Sequence, residues 1–263
     1  MRELKRVPPN KGVEKEYRNK LDKLVKAMSA SVLYWVLADY GNRTAYEMAM
    51  AIRKRVKQWD KIFGKDAERI AEWFVKSVQK HTETGMSLAF KEVGRKMRPT
   101  PQDVLNQVRI ENVELIKSIP EKYFIGIKEI ALLSLMYSWS KERLRDEIEK
   151  RNGIVERRVK TIADDQTHKT TSLIKAGICQ SNRIQYARWK YTWRSETPRE
   201  SHIHVDGAIF DISKGCLIDN EYWLPAEAIN CKCDFTPVLP EYDDDMREEI
   251  EKNIYYRRLA RWG

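Results

Sequence analysis

Residues 155–177 read VERRVKTIADDQTHKTTSLIKAG, and residues 184–193 read IQYARWKYTW. In the first stretch Val155, Val159, Ile162, Gln166, Thr170 and Leu173 recur every three or four positions, the spacing that lines one face of an α-helix. In the second, alternation at Ile184, Tyr186 and Arg188, resumed at Trp189, Tyr191 and Trp193, is that of a strand carrying a bulge. The change of period predicts an α+β chain, mainly helical, in which a long helix feeds a small module of short antiparallel strands. Gly177 stands where a left-handed residue would close the helix. Its middle, Ala163-Asp164-Asp165-Gln166-Thr167-His168, is polar where the stripe should be apolar, so this helix should face a polar site or another polar segment.

Downstream, residues 205–212 and 218–224 read as further strands, with Asp206-Gly207 as a hairpin turn whose glycine takes positive φ. Upstream, the pattern is helical. Tyr17, Leu21, Leu24, Met28, Val32 and Trp35 mark a helix over about residues 14–40, stopped by Gly41-Asn42. Ala45, Met48, Ile52, Val56 and Trp59 predict a second, and Ala67, Ile70, Phe74 and Val78 a third, packed together as a bundle or arm. Arg98-Pro99-Thr100-Pro101 is the strongest breaker in this half and predicts a subdomain joint. Beyond it, 103–118 and 121–139 read as two helices split at Ile119-Pro120, and Ser140 offers an N-cap for 141–151. The expected segments are thus 1–98 (helical), 99–178 (helical, leading into the module), 179–240 (β-rich) and 241–263 (tail). The tail carries Asp243-Asp244-Asp245, then Tyr255-Tyr256-Arg257-Arg258, and as a helix it would either dock on a partner or fold back.

With 263 residues and 42% apolar content, the chain can bury the core of one large domain or two modest ones. The apolar run 123–139 is interrupted by Gly126, Lys128, Glu129, Ser134 and Ser138, short of the ~20 uninterrupted residues of a bilayer span. The start, Met-Arg-Glu-Leu-Lys-Arg with Pro8-Pro9, offers no apolar targeting segment, which points to a cytosol-like compartment. There Cys179, Cys216, Cys231 and Cys233 are expected as thiols or metal ligands. A formal net charge of +10 makes a polyanionic partner one expectation, with Arg151, Arg157, Arg158 and Lys160 as the DNA-contacting residues, and a merely solvated face the other.

The chemistry concentrates in Arg199, His202, Asp206-Gly207, Pro225 and Asn230-Cys231-Lys232-Cys233. His202, Cys231 and Cys233 would supply three ligands of a zinc site, with Cys216 or His204 completing it. The competing reading is a hydrogen-bonded His202 between Asp206 and the long helix, beside two packed thiols. Arg199 should pair with a carboxylate, Asp206 or Asp164, or with a nucleic-acid phosphate. The aromatic strand reads as core, against a base-stacking platform.

Taken in order, the segment 112–120 (NVELIKSIP), the helix with 162–169 (IADDQTHK), the strand 186–193, Arg199-x-x-His202-x-x-x-Asp206-Gly207, Pro225 and Cys231-x-Cys233 resemble the phage head morphogenesis family, the Mu F-like minor head proteins, over about residues 105–240. The resemblance implies a minor structural protein of the virion, without enzymatic activity. It would sit at the portal vertex or inner capsid, touching portal protein, major capsid or scaffolding protein and packaged double-stranded DNA, with no membrane association. Its role would lie in procapsid assembly, DNA packaging or genome delivery. This chain departs from the family pattern at Asp164, where an arginine is usual, and in having Arg199 and His202 where some members carry a Cys-x-x-Cys pair. A different class of function is a metal-dependent His-Asn-His nuclease, with His202 or His204 activating water. It fits less well, because no histidine follows Cys233 to complete such a motif.

Overall fold

A computed structural model describes residues 2–192 and 198–239; the tail 241–263 and the strand end at Trp193 lie outside the described residues. In chain order the elements are β1 (Arg2–Glu3), α1 (Lys11–Asp39), α2 (Ala45–Glu92), α3 (Gln102–Met136), α4 (Lys141–Ser181), β2 (Tyr186–Lys190), α5 (Glu200–His204), β3 (Ile209–Asp211), β4 (Cys216–Ile218), β5 (Glu221–Trp223) and β6 (Asp234–Leu239). The chain is α+β and mainly helical, with the short antiparallel strands concentrated towards its C-terminal side.

Fewer breaks interrupt the helices than the breakers predict. The second and third expected helices are one, α2, which runs through Gly64. A Cβ at Gly64 would meet nothing, so glycine there costs only its intrinsic ~1 kcal/mol relative to alanine. Likewise α4 runs through Gly153. Helix α3 contains Pro120, whose missing N–H and ring carry a cost of ~3 kcal/mol. That cost is offset locally, because Ile116, Ile119, Tyr123, Phe124 and Ile127 around it are all buried. Gly177 does not close α4; it lies within the helix, which continues to Ser181. A Cβ there would stand 3.1 Å from Val104 and 3.3 Å from Pro101, so its absence serves close packing. Ser140 caps α4 as its position suggests, its Oγ accepting from the Arg143 amide at 3.2 Å. No described helix is long and apolar enough to cross a membrane.

Two compact units form, each from separate stretches of chain. Of the described residues, one takes 12–74 and 109–164, and the other takes 2–11, 75–108, 165–192 and 198–239, so packing cuts across the linear segments. The first unit is helical. Its core holds Tyr17 stacked on Phe74 at 4.1 Å, with the Tyr17 hydroxyl donating to Asn112 Oδ1 at 3.0 Å. The second unit contains the break 98–101, so both flanks of that break belong to the same unit. The Arg98 amide donates to Asn182 Oδ1 (2.7 Å), and the Thr100 hydroxyl and amide both donate to Glu83 Oε1 (2.7 and 3.0 Å).

The four-stranded antiparallel sheet of this second unit has the order β1-β6-β2-β3, and β4-β5 form a separate hairpin. Strand β6 was not expected, and it takes in Pro237, a residue ordinarily kept out of central strands. Every residue of β6 is buried. Within the aromatic strand Trp189 is core as read, meeting Phe210 edge-on at 6.1 Å, with Phe210 meeting Phe235 at the same distance, while Tyr186 and Tyr191 are half-buried. The expected strand 205–212 forms only at its end, as β3. The expected strand 218–224 is instead a hairpin turning at Asp219-Asn220, both with positive φ (51° and 70°).

Candidate functional site

The site is assembled within the second unit from β2, α5, the loop 224–233 and the C-terminal part of α4. Helix α5 is a single turn that the sequence pattern did not announce: Arg199 at its N-cap has extended φ/ψ and gives no side-chain cap. Placing His202 and His204 on a helix separates them by about 200°, whereas a strand would have put them on one face. Accordingly His202 is buried and His204 exposed. Asp206-Gly207 then turns the chain from α5 into β3, and is not a hairpin between strands. Gly207, at φ 76°, gives its amide to Trp189 O (2.9 Å), while Trp189 N donates to Ala208 O (2.8 Å). Asp206 accepts from the Tyr191 amide at 2.8 Å. The carboxylate expected to hold Arg199 is therefore engaged elsewhere, and the Arg199 guanidinium donates to Ile229 O at 3.0 Å.

The loop that presents the cysteines is fixed from several directions. Pro225 is buried, Ala226 and Asn230 have positive φ (67° and 60°), and the Cys231 amide donates to Ala228 O at 3.0 Å. Asp165 on α4 reaches this loop: its carboxylate accepts from the Asn230 amide (3.1 and 3.2 Å) and from Lys232 Nζ (3.1 Å). Both side chains of that pair are largely covered, 11% exposed for Lys232 and 16% for Asp165. Here is one purpose of the polar mid-helix segment, legible as polar but not in its target. With Lys232 committed to Asp165, its neighbours Cys231 and Cys233 both point inward, as alternate residues of an extended segment do.

Three ligand-type groups consequently meet. His202 Nδ1 lies 3.4 Å from Cys231 Sγ and 3.6 Å from Cys233 Sγ, and the imidazole stands edge-on to Trp189 at 5.5 Å and 85°. Asp206 and the long helix, named above as partners for His202, are not what the ring nitrogen faces. Cys231 ionises more readily than an ordinary thiol, because the Cys233 thiol, His202 and the Cys233 amide all donate to its sulfur. Cys233 is pushed the other way, since its proton is shared with Cys231 and a second buried charge beside the first is unfavourable. The Tyr191 phenol is raised by lost hydration and by the sulfurs of Cys233 and Cys231. Cys216 opens β4 and does not join the three; Cys179, buried on α4, is a packed thiol raised to about 12 by burial.

In the other unit, the four basic residues read as DNA contacts divide into two kinds. The Arg151 guanidinium donates to Lys122 O, and Arg158 donates to Ser118 Oγ at 2.8 Å. Arg157 and Lys160 are exposed.

Arg199, His202, Asp206-Gly207, Pro225, Asn230 and both site cysteines fall inside residues 130–236, which match the model of a known family, described as phage Mu protein F like protein. That stretch of the chain is similar to the phage Mu F-like family. The Mu F-like match begins after residues 112–120, the first of the resembling segments. An uncharacterized protein of Haemophilus influenzae (strain ATCC 51907 / DSM 11121 / KW20 / Rd) is 27% identical over 270 residues, which cover 96% of this chain. The chain spans 58% of the length of that relative. No solved structure matches the chain.

Proposed function

We propose that this chain is a minor structural protein of a tailed-phage head. It would act at the portal vertex or inner capsid in procapsid assembly, DNA packaging or genome delivery, in contact with portal and shell or scaffolding proteins. The observation that carries the reading is the Mu F-like match over residues 130–236, which takes in every residue of the site constellation. The site's own bonding supports it. Asp165, Arg199 and Asp206 each hold a backbone group of a loop, as pins do, Asp165 holding the Lys232 ammonium as well. The nuclease reading requires a second activating group beside His202, and His204 faces away from it. The helical unit supports a partner-binding role: Tyr46, Met50 and Ile125 are exposed along a groove of about 490 Å³ that Arg53, Asp60, Glu121 and Lys128 also line. DNA contact would fall to Arg157 and Lys160, because Arg151 and Arg158 are engaged within the unit.

The test is composition of isolated heads. The protein is expected in purified procapsids, and its deletion should lower particle yield or infectivity. Absence from heads, with unchanged yield and infectivity on deletion, removes the reading. Separately, Arg157→Glu/Lys160→Glu should weaken DNA binding and reduce its salt dependence while leaving the fold intact. Magnesium- or manganese-dependent cleavage of plasmid by the purified chain, lost in His202→Ala, would favour the nuclease instead.

A further inference from the structure

We propose that His202 Nδ1, Cys231 Sγ and Cys233 Sγ are three ligands of a zinc ion that ties α5 to the loop preceding β6, the fourth position being filled from outside this triad. The inference stands apart from the head-protein reading, since it rests on coordination geometry alone.

A tetrahedral zinc holds sulfur at about 2.3 Å and imidazole nitrogen at about 2.0–2.1 Å, which sets nitrogen and sulfur about 3.5 Å apart along the tetrahedron's edge. The observed separations are 3.4 and 3.6 Å, and the three ligand atoms all lie within 4.8 Å of one another. Hydrogen bonding explains this arrangement less well. One ring nitrogen carries either one proton or one lone pair, so it can serve one sulfur well but not two at nearly equal distance. A tetrahedral cation bonded to all three, set off the plane of the ligand atoms, serves each of them.

Charge and surroundings agree with that assignment. His202, Cys231 and Cys233 are 4–6% exposed, so two thiolates ligating there would need a cation beside them. A divalent ion neutralises them. The backbone amides of Cys233 and Thr192 donate to the sulfurs of Cys231 and Cys233 respectively, the outer-shell bonding that orients thiolate ligands. Two sulfurs with one imidazole select a borderline-soft ion and disfavour magnesium or calcium, whose ligands are oxygens. The ligands come from segments 29 and 31 residues apart in sequence, so the ion would close a long loop that two weak thiol contacts close poorly.

The test uses the full chain, expressed with zinc supplied and passed through gel filtration before elemental analysis. One zinc per chain is expected, lost in Cys231→Ser, Cys233→Ser and His202→Ala and retained in Cys216→Ser. Because the first three variants can fail to fold, the unsubstituted chain is also loaded with cobalt(II). Thiolate-to-cobalt charge transfer and the intense visible bands of tetrahedral cobalt are expected, and chelation should lower the melting temperature. A folded, unsubstituted chain with neither zinc nor those cobalt bands overturns the proposal. So does zinc retained by a folded Cys231→Ser/Cys233→Ser variant, and so does zinc lost from a folded Cys216→Ser, which would put the centre elsewhere.

Discussion

Asp234→Asn is the most informative single substitution, because it removes one charge from the deepest ion pair described in the molecule. Lys175, on α4, has a side chain 1% exposed, and its ammonium pairs with Asp234, itself 5% exposed. Its other neighbours are Phe235 O at 3.1 Å and the Phe235 ring at 4.3 Å, neither of which carries a charge. Removing the carboxylate charge strands the ammonium, a change that costs about 3–5 kcal/mol when a buried pair is broken. Arg6 also reaches Asp234, at 2.7 Å, but is 44% exposed, so its share is screened to at most ~1 kcal/mol. Asp234→Asn should therefore cost at least ~3 kcal/mol by urea denaturation followed by circular dichroism. Lys175→Met should cost less, because Asp234 keeps Arg6 and the Phe235 amide (2.8 Å). The double variant should recover much of the loss, since two apolar-compatible groups replace an expensive pair. The pH dependence has a definite sign. Burial opposes ionisation of Asp234, but Lys175 and Arg6 outweigh it and hold its pKa below the usual value. Its contribution is thus full above the unfolded value of about 3.9 and is lost as pH falls through the lower folded value. A loss under ~1 kcal/mol for Asp234→Asn, or a double variant as unstable as the sum of the singles, would refute the reasoning.

Three further outcomes follow from the packing. Gly64→Ala should stabilise by up to ~1 kcal/mol, because nothing stands where its Cβ would go, whereas Gly177→Leu should destabilise by ~1–3 kcal/mol against Val104 and Pro101; thermal melts distinguish the two. Asp165→Ala should loosen the cysteine loop by ~1.5–3 kcal/mol through loss of the Asn230 and Lys232 bonds, read as faster amide exchange at residues 229–233 with the helical unit unchanged. Asn230→Gly should be tolerated, whereas Asn230→Val should cost at least ~1–2 kcal/mol at φ 60°, measured as a shift in the urea midpoint.

Much of the candidate site was legible as a set of residues, but little of it as a geometry. His202, Cys231 and Cys233 are singled out by side-chain chemistry alone, and all three converge. Cys216 and His204 look equally suitable on paper. Only the one-turn helix α5 turns His204 outward, and only the β4-β5 hairpin takes Cys216 to a different place. Arg199 was read by its preference for carboxylates, yet the local chain gives Asp206 to the Tyr191 amide and leaves Ile229 O as the acceptor. The Lys175–Asp234 pair was not foreseen: its residues are 59 apart, and nothing in either neighbourhood marks them as buried.

What the sequence determined by itself is the type of each long element and the α+β class. A three- and four-residue apolar spacing leaves a helix no better way to bury its face, and local signals such as Ser140 and Gly41 act within a few residues of the backbone they shape. What tertiary structure decided is where the breakers yield and where the ligands meet. Gly64, Gly153 and Pro120 each impose a local cost of about 1–3 kcal/mol, which packing of whole helix faces can exceed. The meeting of one imidazole with two sulfurs depends on the directions of α5 and of a loop held by Asp165, and such directions are fixed by contacts between residues distant along the chain.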